Sequence, residues 1–348
     1  MTNPNTVADK CEPLTTYAES IAPSNLVPLW DRLKDLITPQ PASAARPAVW
    51  SYDEVRPLLM EAGELITAKE AERRVLILEN PGLQGLSRIT TSLYAGLQLV
   101  LPGEVAPAHR HTPTALRFVV DGEGAYTAVE GERTIMREGD FVITPNWKWH
   151  DHGNDSDQPM IWLDGLDVPM VQFFDASFLE PYADVSQQVV RPVSDSLARY
   201  GSGLMPVDTD RSSPTSPIVS YPYDRSREVL EQMRKNDEWD PHHGLRMRYT
   251  NPLSGSWAMP SISAFIRLLP KGFTTADYRS TDGTVFSVVE GSGHTKVGDE
   301  TLEWKKRDTF VVPSWRWHRH VADEETVLFS FSDRAIQEKL DLWREEQG

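Results

Sequence analysis

Cysteine is almost absent from this sequence of 348 residues, in which Cys11 is the single example. No disulfide can form within the chain, and the polar surroundings of Cys11 give no reason to expect a nucleophile there. No apolar run approaches the roughly 18 residues that a membrane-spanning helix requires. The first residues, MTNPNTVADKCEP, also lack the basic and apolar segments of a secretory signal. We therefore expect a cytoplasmic protein.

Positive charge is scarce as well. The chain has 35 lysines and arginines against 51 aspartates and glutamates, which gives a formal net charge of −16. A surface of this sign repels nucleic acid and anionic lipid, so we expect neither of them as a partner. It does not attract an anionic substrate either, and local arginines would have to hold such a substrate.

The most informative feature that is present is an internal repeat. Residues 102–124 align without a gap with residues 271–293, and residues 139–152 align with residues 307–320. The second pair shares the pattern Pro-x-Trp-x-Trp-His-x-His. Short apolar stretches bounded by Gly, Pro or Asn predict strands. The sequence therefore predicts two copies of one β-rich unit.

Helices are predicted at both ends of the chain. Apolar residues recur at helical spacing in residues 25–37 and 51–66, and the segment AIQEKLDLWREEQ has the same pattern. The predicted organisation is a helical N-terminal extension over residues 1–88, a first β-rich unit over 89–168, a linker over 169–258, a second β-rich unit over 259–332 and a C-terminal helix over 333–348.

Two histidines, His109 and His111, stand one residue apart in a stretch where prolines favour an extended backbone. Side chains two residues apart in a strand point to the same side, so the two imidazoles project together. Such a pair alone is equally consistent with a surface or structural role. His150 lies in the same unit and can return to the same cavity, and three neutral imidazoles form an open site for a divalent ion.

The glycines and histidines of the first unit resemble the two-part motif of the cupin superfamily. The matching residues are Gly103, His109, His111 and Gly122, followed by Gly139, Pro145, His150 and Asn154. Ala115 occupies the position at which cupins usually carry a glutamate ligand, so the resemblance implies a site of three histidines. It also implies an all-β core: a bicupin, two double-stranded β-helix or jelly-roll barrels, with a helical N-terminal extension and a C-terminal helix.

The second unit keeps the glycines of the motif and loses most of its ligands. Tyr278 and Ser280 stand in the positions of His109 and His111, and His318 alone matches a ligand. One imidazole cannot hold a catalytic divalent ion in competition with water. We therefore expect the second unit to be metal-free and structural.

A duplicated cupin with three histidines in its N-terminal copy resembles the gentisate 1,2-dioxygenase family, together with the salicylate and 1-hydroxy-2-naphthoate dioxygenases. The segments that carry this resemblance are RRVLILENPGL (73–83), LYAGLQLVLPGE (93–104), HRHTPTALRFVVDGEG (109–124) and WHDHGN (149–154). It implies an Fe(II)-dependent, extradiol-type dioxygenase of aromatic catabolism that adds both atoms of O₂. Gentisate (2,5-dihydroxybenzoate) would be cleaved between its carboxyl- and hydroxyl-bearing carbons to give maleylpyruvate. Relatives of this kind are often homotetramers.

Two residues near the histidines are predicted to act on the substrate. Arg117 is an even number of residues from His111, so a continuous strand places both on one face. By resemblance it pairs with the substrate carboxylate, and a surface ion pair is the alternative. His152 by resemblance bonds to a substrate oxygen or to dioxygen, or acts as acid or base. The alternative is a hydrogen-bonded core histidine, since His320 repeats it.

Five further residues are predicted to bind the substrate. Tyr94, Gly96 and Gln98 alternate along one strand and would line a wall, with Gly96 leaving room above the ring. By resemblance Arg73 reaches the pocket, although a surface position is equally consistent with the sequence. Asp164 resembles an acidic residue that accepts a hydrogen bond from the second hydroxyl of gentisate, and a structural residue of its strand is the alternative.

Three functions remain open from the sequence. The first is cleavage of gentisate, which Asp164 favours. The second is cleavage of salicylate or 1-hydroxy-2-naphthoate by the same chemistry. The third is a non-catalytic bicupin that binds a small molecule or stores metal, and the polar residues Arg117 and His152 beside the ligands argue against it.

Overall fold

The computed structural model describes residues 14–236 and 238–348, so Cys11 lies outside the described residues. The chain divides into two units, one that ends at Ala42 and one that runs from Ser43 to Gly348. The first unit contains helix α1 (residues 14–21) and helix α2 (Leu29–Leu36). Across the described part of the chain, no helix combines the length and apolar character needed to cross a membrane.

The second unit is built mainly from strands. Its helices are α3 (Tyr52–Leu65), α4 (Ala68–Ala71), α5 (Val168–Phe173), α6 (Asp195–Tyr200), α7 (Tyr223–Arg234) and α8 (Arg334–Lys339). Its strands up to the middle of the chain are β1 (Ala48–Trp50), β2 (Val75–Ile77), β3 (Tyr94–Val100), β4 (Val105–His111), β5 (Ala115–Asp121), β6 (Glu123–Val129), β7 (Glu132–Arg137), β8 (Phe141–Thr144), β9 (His150–Asn154), β10 (Met160–Leu166), β11 (Leu179–Pro181) and β12 (Ser220–Tyr221). The remaining strands are β13 (Leu245–Arg248), β14 (Ser263–Leu269), β15 (Tyr278–Ser280), β16 (Thr284–Glu290), β17 (Ser292–Val297), β18 (Glu300–Lys305), β19 (Thr309–Val312), β20 (His318–Ala322), β21 (Thr326–Ser332) and β22 (Glu345–Gln347).

These strands form four antiparallel sheets, two for each repeat. The first barrel has the sheets β12-β8-β5-β10-β3-β2 and β11-β4-β9-β6-β7. Its interior is packed by Val119 and Trp162 from the first sheet against Val129 and Met136. The second barrel has the sheets β1-β19-β16-β21-β14-β13 and β18-β17-β20-β15-β22, with Phe286 in its core. The two predicted copies of one β-rich unit are thus confirmed.

The sequence repeat is also a repeat of strand register. His109 on β4 lies directly opposite His150 on β9. At the matching place in the second barrel, Tyr278 on β15 lies opposite His318 on β20. Equivalent residues of the two copies can therefore be compared position by position.

The largest hydrophobic core includes residues of both barrels. On β5, Leu116, Phe118 and Val120 belong to this core, and the ring of Phe118 stacks on Phe329 of β21 with centroids 4.1 Å apart. The alternate residue Val119 belongs to the interior of the first barrel. Because strand side chains alternate between faces, Arg117 points to the interior side as well. Packing between the barrels thus fixes the orientation of a predicted site residue.

The structure departs from the predicted segments at the ends of the sheets. The predicted N-terminal extension contributes not only helices but also β1 and β2, and the predicted linker contributes β11, β12 and β13. All five short strands lie at the outer positions of their sheets. They satisfy backbone groups that an open sheet edge would expose. The boundaries between the predicted extension, units and linker remain predictions.

The prediction of a C-terminal helix over residues 333–348 is wrong in its extent. Helix α8 ends at Lys339, and the last residues form β22, which pairs with β15. Glu345 accepts a hydrogen bond from the phenol of Tyr278 at 2.8 Å, and Glu346 forms an ion pair with Arg279. Pairing at a sheet edge here overrides the helical pattern of the sequence.

Candidate active site

Three imidazoles converge between two neighbouring strands of the first barrel. His109 and His111 lie on β4, and His150 lies on β9. The ring centroids of His109 and His150 are 4.3 Å apart, those of His111 and His150 4.7 Å, and those of His109 and His111 5.2 Å. One ring nitrogen from each residue lies within 4.8 Å of the other two, which is close enough for all three to bind one ion.

Backbone carbonyls orient the three rings. The Nδ1 atoms lie close to the carbonyl oxygens of residues two positions away, at 3.1 Å for His109 and Pro107, 2.8 Å for His111 and Pro113, and 2.9 Å for His150 and Lys148. A carbonyl only accepts, so the Nδ1 atoms of His111 and His150, which have no other partner among the described residues, carry the proton and leave a lone pair on Nε2. The Nε2 atom of His150 is buried and has no hydrogen-bond partner among the described residues.

The histidines are neutral at physiological pH, as metal binding requires. Burial, followed by the nearby charge of Arg73, lowers the pKa of His109 to about 3. Burial lowers the pKa of His111 to about 4 and holds the pKa of His150 well below its ordinary value. No proton therefore has to leave these rings before a cation binds.

The repeated tryptophans support the strand that carries the ligands. The guanidinium of Arg110 lies over the rings of Trp147 and Trp149, 4.4 and 4.5 Å from their centroids. Trp147 has a φ of 58°, a left-handed conformation that an aromatic residue rarely adopts. Its backbone N–H donates to the carbonyl of His111 at 2.9 Å. This turn therefore ties the strand of His111 to the segment that leads into His150.

The same support occurs in the second barrel. Trp315 has a φ of 60°, and Arg279 lies 4.5 and 4.6 Å from the ring centroids of Trp315 and Trp317. The two tryptophans of the repeated motif thus stack on an arginine of the neighbouring strand in both copies. The motif maintains the barrel frame, whichever residues occupy the ligand positions.

A cavity of about 330 Å³ opens beside the histidines. This volume falls in the range of small-molecule sites. Seven of the ten predicted site residues lie on its wall: Arg73, Tyr94, Gln98, His109, His111, Arg117 and Asp164. Gly96, His150 and His152 are not on the wall. His150 and His152 are fully buried.

Arg117 and Asp164 form an ion pair inside the barrel. They lie opposite each other on β5 and β10, with Arg117 Nε 3.4 Å from Asp164 Oδ1. The guanidinium also donates to the hydroxyl of Thr144. Burial raises the pKa of Asp164 to about 6, although Arg117 acts in the opposite direction. Arg117 is therefore not part of a surface ion pair.

Arg73 also reaches the cavity from the start of β2. Its Nη2 donates to the carbonyl of Pro107 at 2.8 Å, contacts Nδ1 of His109 and lies 3.4 Å from Nε2 of the same ring. Burial and the charge of Arg117 lower the pKa of Arg73 to about 10, which leaves it cationic at neutral pH. The cavity thus has two guanidiniums and one carboxylate on its wall, a positive surplus inside an acidic protein.

Gly96 affects the cavity indirectly. A methyl group at this position would lie 2.5 Å from Cγ1 of Val75 and 3.0 Å from the hydroxyl of Tyr94, both on the cavity wall. The space that the missing side chain leaves is thus filled by these two residues, contrary to the expectation of open room above a substrate ring. Gly96 lets them pack closely against β3, and any larger residue would push them toward the cavity.

His152 lies behind the ligands. Its ring centroid is 5.6 Å from that of His150, and its Nδ1 lies 3.0 Å from Oγ1 of Thr127. The same hydroxyl lies 3.3 Å from Sδ of Met136. A thioether only accepts, so the hydroxyl of Thr127 donates its hydrogen bond to Met136. The same hydroxyl can then accept a hydrogen bond from the protonated Nδ1 of His152, which leaves Nε2 of His152 as an acceptor. That Nε2 is buried without a partner among the described residues.

A histidine with the same support is present in the second barrel, where Nδ1 of His320 lies 2.8 Å from Oγ1 of Thr295. The threonine–histidine pair therefore belongs to the repeated frame. In the first barrel it lies beside three imidazoles, and in the second barrel beside His318 and Tyr278.

Sequence reasoning missed part of the cavity wall. Apolar residues that it did not identify are Val75, Leu86, Leu166, Val168 and Pro169, together with Ser87 and Gln172. Leu166 ends β10, and Val168, Pro169 and Gln172 lie on α5, which spans the predicted end of the first unit at residue 168. No motif marks them. The pairing of Thr127 with His152 could have been found, because Thr295 and His320 repeat it at the same spacing.

Comparison with known proteins gives one matching family and several related enzymes. A family model described as cupin domain matches residues 96–166 and again residues 264–331. The chain is 63% identical over 324 residues to gentisate 1,2-dioxygenase 1 of Aquipseudomonas alcaligenes, a match that covers 93% of each protein. It is 36% identical over 339 residues to 5-aminosalicylate 1,2-dioxygenase of a Comamonas species, covering 96% of this chain and 90% of that protein.

A solved structure supports the same relationship. The crystal structure of salicylate 1,2-dioxygenase from Pseudoaminobacter salicylatoxidans with gentisate superposes with a TM-score of 0.92 at 37% identity. The match covers 100% of this chain and 97% of that chain. Together with the two cupin matches, this confirms the predicted bicupin architecture.

The arrangement of the imidazoles predicts how metal content responds to mutation. We expect His109→Ala and His150→Ala to retain little or no Fe(II) after anaerobic reconstitution and desalting, because two nitrogens hold the ion too weakly. His318→Ala removes the matching histidine of the second barrel and should leave metal content unchanged. Metal analysis of the folded proteins is the measurement, and wild-type iron in the first two variants would refute the ligand assignment.

Proposed function

The chain belongs to the gentisate 1,2-dioxygenase family and is a ring-cleaving dioxygenase; from this premise we propose that it opens the ring of gentisate with Fe(II) and O₂. The expected product is maleylpyruvate, formed by cleavage between the carbons that bear the carboxyl and the neighbouring hydroxyl group. We further propose that it acts in the cytoplasm as a homotetramer, in line with the sequence-based expectation.

One observation carries this proposal: three neutral imidazoles converge beside a cavity, with His109 and His111 on its wall, and the charged groups of that wall are two arginines and one aspartate. The imidazoles suit a divalent cation, and the surplus of guanidinium charge suits a small organic acid. A storage site for metal does not need buried arginines beside its ligands. The arrangement therefore favours an enzyme over a non-catalytic bicupin.

The residues present fit a ferrous ion. His109, His111 and His150 offer three nitrogen donors, and the buried Nε2 of His150 has no hydrogen bond that an ion would have to displace. Imidazole is a good ligand for iron, and a set of three leaves further coordination positions free. When bound, Fe(II) supplies redox chemistry with O₂ and a Lewis acid for the carboxylate and hydroxyl oxygens of the substrate.

The arginines are proposed to hold the carboxylate. Arg117 is fixed by Asp164 and Thr144, so its planar guanidinium does not lose side-chain entropy when an acid binds. Arg73 lies at the ligand side of the cavity, where its contact with His109 places positive charge close to the proposed metal site. Together the two arginines favour one orientation of an aromatic ring that bears a carboxylate.

His152 and Asp164 are the candidates for proton transfer. His152 is neutral, because burial holds its pKa well below the ordinary value, and its hydrogen bond to Thr127 leaves Nε2 as an acceptor for a hydrogen bond from a substrate hydroxyl. Asp164 lies deep in the cavity with a pKa raised by burial to about 6. It can accept a hydrogen bond from the second hydroxyl of gentisate, which salicylate lacks.

The apolar wall is proposed to exclude water from the reaction. Val75, Leu86, Leu166 and Val168 contribute apolar side chains to the cavity wall. A monocyclic aromatic acid can place its ring against these side chains and its oxygens toward the arginines and histidines. Excluding water strengthens the electrostatic contacts that orient the substrate.

Oxygen uptake with three acids tests the proposed substrate. With iron-loaded enzyme, we expect substrate-dependent consumption of O₂ with gentisate, and a lower kcat/KM with salicylate and 1-hydroxy-2-naphthoate, because neither has the second hydroxyl that Asp164 can bind. The measurement is an oxygen electrode combined with identification of the product. No uptake with gentisate, while salicylate is consumed, would replace the proposed substrate by the alternative acid.

Mutation of Arg117 tests how the carboxylate is held. We expect Arg117→Ala to lower kcat/KM for gentisate by about 10- to 100-fold, mainly through a higher KM, because one charge-assisted hydrogen-bonding group is lost. Steady-state kinetics is the measurement. Arg117→Lys keeps the charge without the planar fork and should recover part of the loss.

Metal content provides the control for the arginine variants. Arg117 is not among the proposed ligands, so both variants should bind iron as the wild type does. Kinetic constants equal to those of the wild type in Arg117→Ala would place this arginine outside the substrate site.

A further inference from the structure

The second barrel carries a different set of charges on the wall that matches the active-site cavity. Position by position, Gln98 of β3 is replaced by Arg267 of β14, Asp164 of β10 by Ser330 of β21, and Arg117 of β5 by Phe286 of β16. On the adjoining edge strand, Val75 lies opposite Gln98, and Arg246 lies opposite Arg267. At these positions the second barrel thus loses the arginine–aspartate pair of the first and has two neighbouring arginines instead.

The two arginines face each other inside the sheet. Arg246 and Arg267 are direct register partners on β13 and β14. Like charges placed opposite each other destabilise a strand pair. Arg267 is only 4% exposed, and its Nε and Nη1 atoms are buried without a hydrogen-bond partner in the described part of the chain. No carboxylate within residues 14–236 and 238–348 forms an ion pair with either arginine.

Both side chains border a small cavity. Its volume is about 20 Å³, enough for one water molecule or a monatomic ion but not for an aromatic acid. Besides Arg246 and Arg267, the wall includes the buried hydroxyl residues Ser280 and Ser330. Hydroxyl groups and guanidiniums are the donors that a small anion needs.

Among the described residues, Asp282, the acidic residue of this wall, forms no ion pair with Arg246 or Arg267. Asp282 accepts a hydrogen bond from Nε1 of Trp343 at 2.9 Å. Arg334, a third arginine of the wall, pairs with Glu338 at 2.8 Å. His318 adds no charge at neutral pH, because burial lowers its pKa to about 4. The charges of Asp240 and Asp282 act to raise the pKa of Arg246, and that of Asp240 acts to raise the pKa of Arg267, but neither arginine has an ion-pair partner among the described residues.

Arg267 remains a cation under physiological conditions. Burial and the charge of Arg246 lower the pKa of Arg267 to about 9, which is still above neutral pH. The guanidinium lies 5.5 Å from the centroid of the Phe286 ring, and that of Arg246 lies 5.1 Å from Phe265. Ring contacts stabilise a cation only modestly and do not satisfy its N–H groups.

We propose that the second barrel binds a small monovalent inorganic anion, chloride in the cell, in the cavity between Arg246 and Arg267. The anion accepts the unpartnered N–H groups and offsets the repulsion between the two guanidiniums. The second barrel then holds its sheet together with a bound anion at the place where the first barrel holds the Arg117–Asp164 ion pair. This role is structural and does not depend on the substrate of the first barrel.

Bromide provides a direct probe, because it replaces chloride and scatters X-rays anomalously. Crystals of the iron-loaded enzyme grown without chloride and soaked in bromide should show one anomalous peak per chain between Arg246 and Arg267. This measurement needs no mutation, so a variant that fails to fold cannot obscure it. A map without a peak in the cavity would overturn the proposal.

Thermal unfolding provides a second, independent measurement. At fixed ionic strength, replacing gluconate by chloride or bromide should raise Tm of the wild type by about 2–4 °C, because an anion that binds the folded state stabilises it. Sulfate is too large for the cavity and should not raise Tm in this way. Arg267→Gln and Arg246→Gln should each lose the halide effect.

Arg248→Gln is the matched control. Arg248 is an exposed arginine of the same strand, outside the cavity, whose guanidinium donates to the carbonyl of Gly255 at 3.1 Å. This variant should keep the full halide effect. An equal halide effect in the wild type and in both cavity variants would show a general salt effect and would overturn the proposal.

Discussion

The antiparallel pairing of β4 with β9 is the constraint on which the candidate site depends. It places His109 opposite His150, and the two-residue periodicity of a strand adds His111 on the same side. The stack of Trp147 and Trp149 on Arg110, together with the backbone bond from Trp147 to His111, holds the two strands in this register. A slip of one residue would turn the imidazoles away from each other and remove the site.

The two barrels show how one frame supports different chemistry. Both keep the tryptophan–arginine stack and the threonine–histidine pair, which maintain the fold. They differ in the interior side chains of a few strands. The first barrel has three imidazoles and an arginine–aspartate pair beside a cavity of about 330 Å³, whereas the second has Arg246 and Arg267, without an ion-pair partner among the described residues, beside one of about 20 Å³. Packing of Phe118 on Phe329 joins the barrels.

Much of this arrangement could be predicted from the sequence because the chain repeats itself. The repeat gave the two barrels, and the spacing of His109, His111 and His150 predicted their convergence. The apolar cavity wall on α5 could not be predicted, because a position near the site depends on how the chain leaves β10 and not on a local pattern. The edge strands and the short α8 were missed for a related reason: pairing with a sheet edge outweighs local helix propensity. The ion pair between Arg117 and Asp164 depends on the register between β5 and β10, which cannot be read from the sequence.

Diffraction data collected at the iron absorption edge would test the central claim most directly. Crystals of the wild-type protein, loaded with Fe(II) without oxygen, should show one anomalous peak per chain, among the nitrogens of His109, His111 and His150. The second barrel should show none. A chain whose iron lies elsewhere, or whose three imidazoles remain without an ion after such loading, would contradict the account.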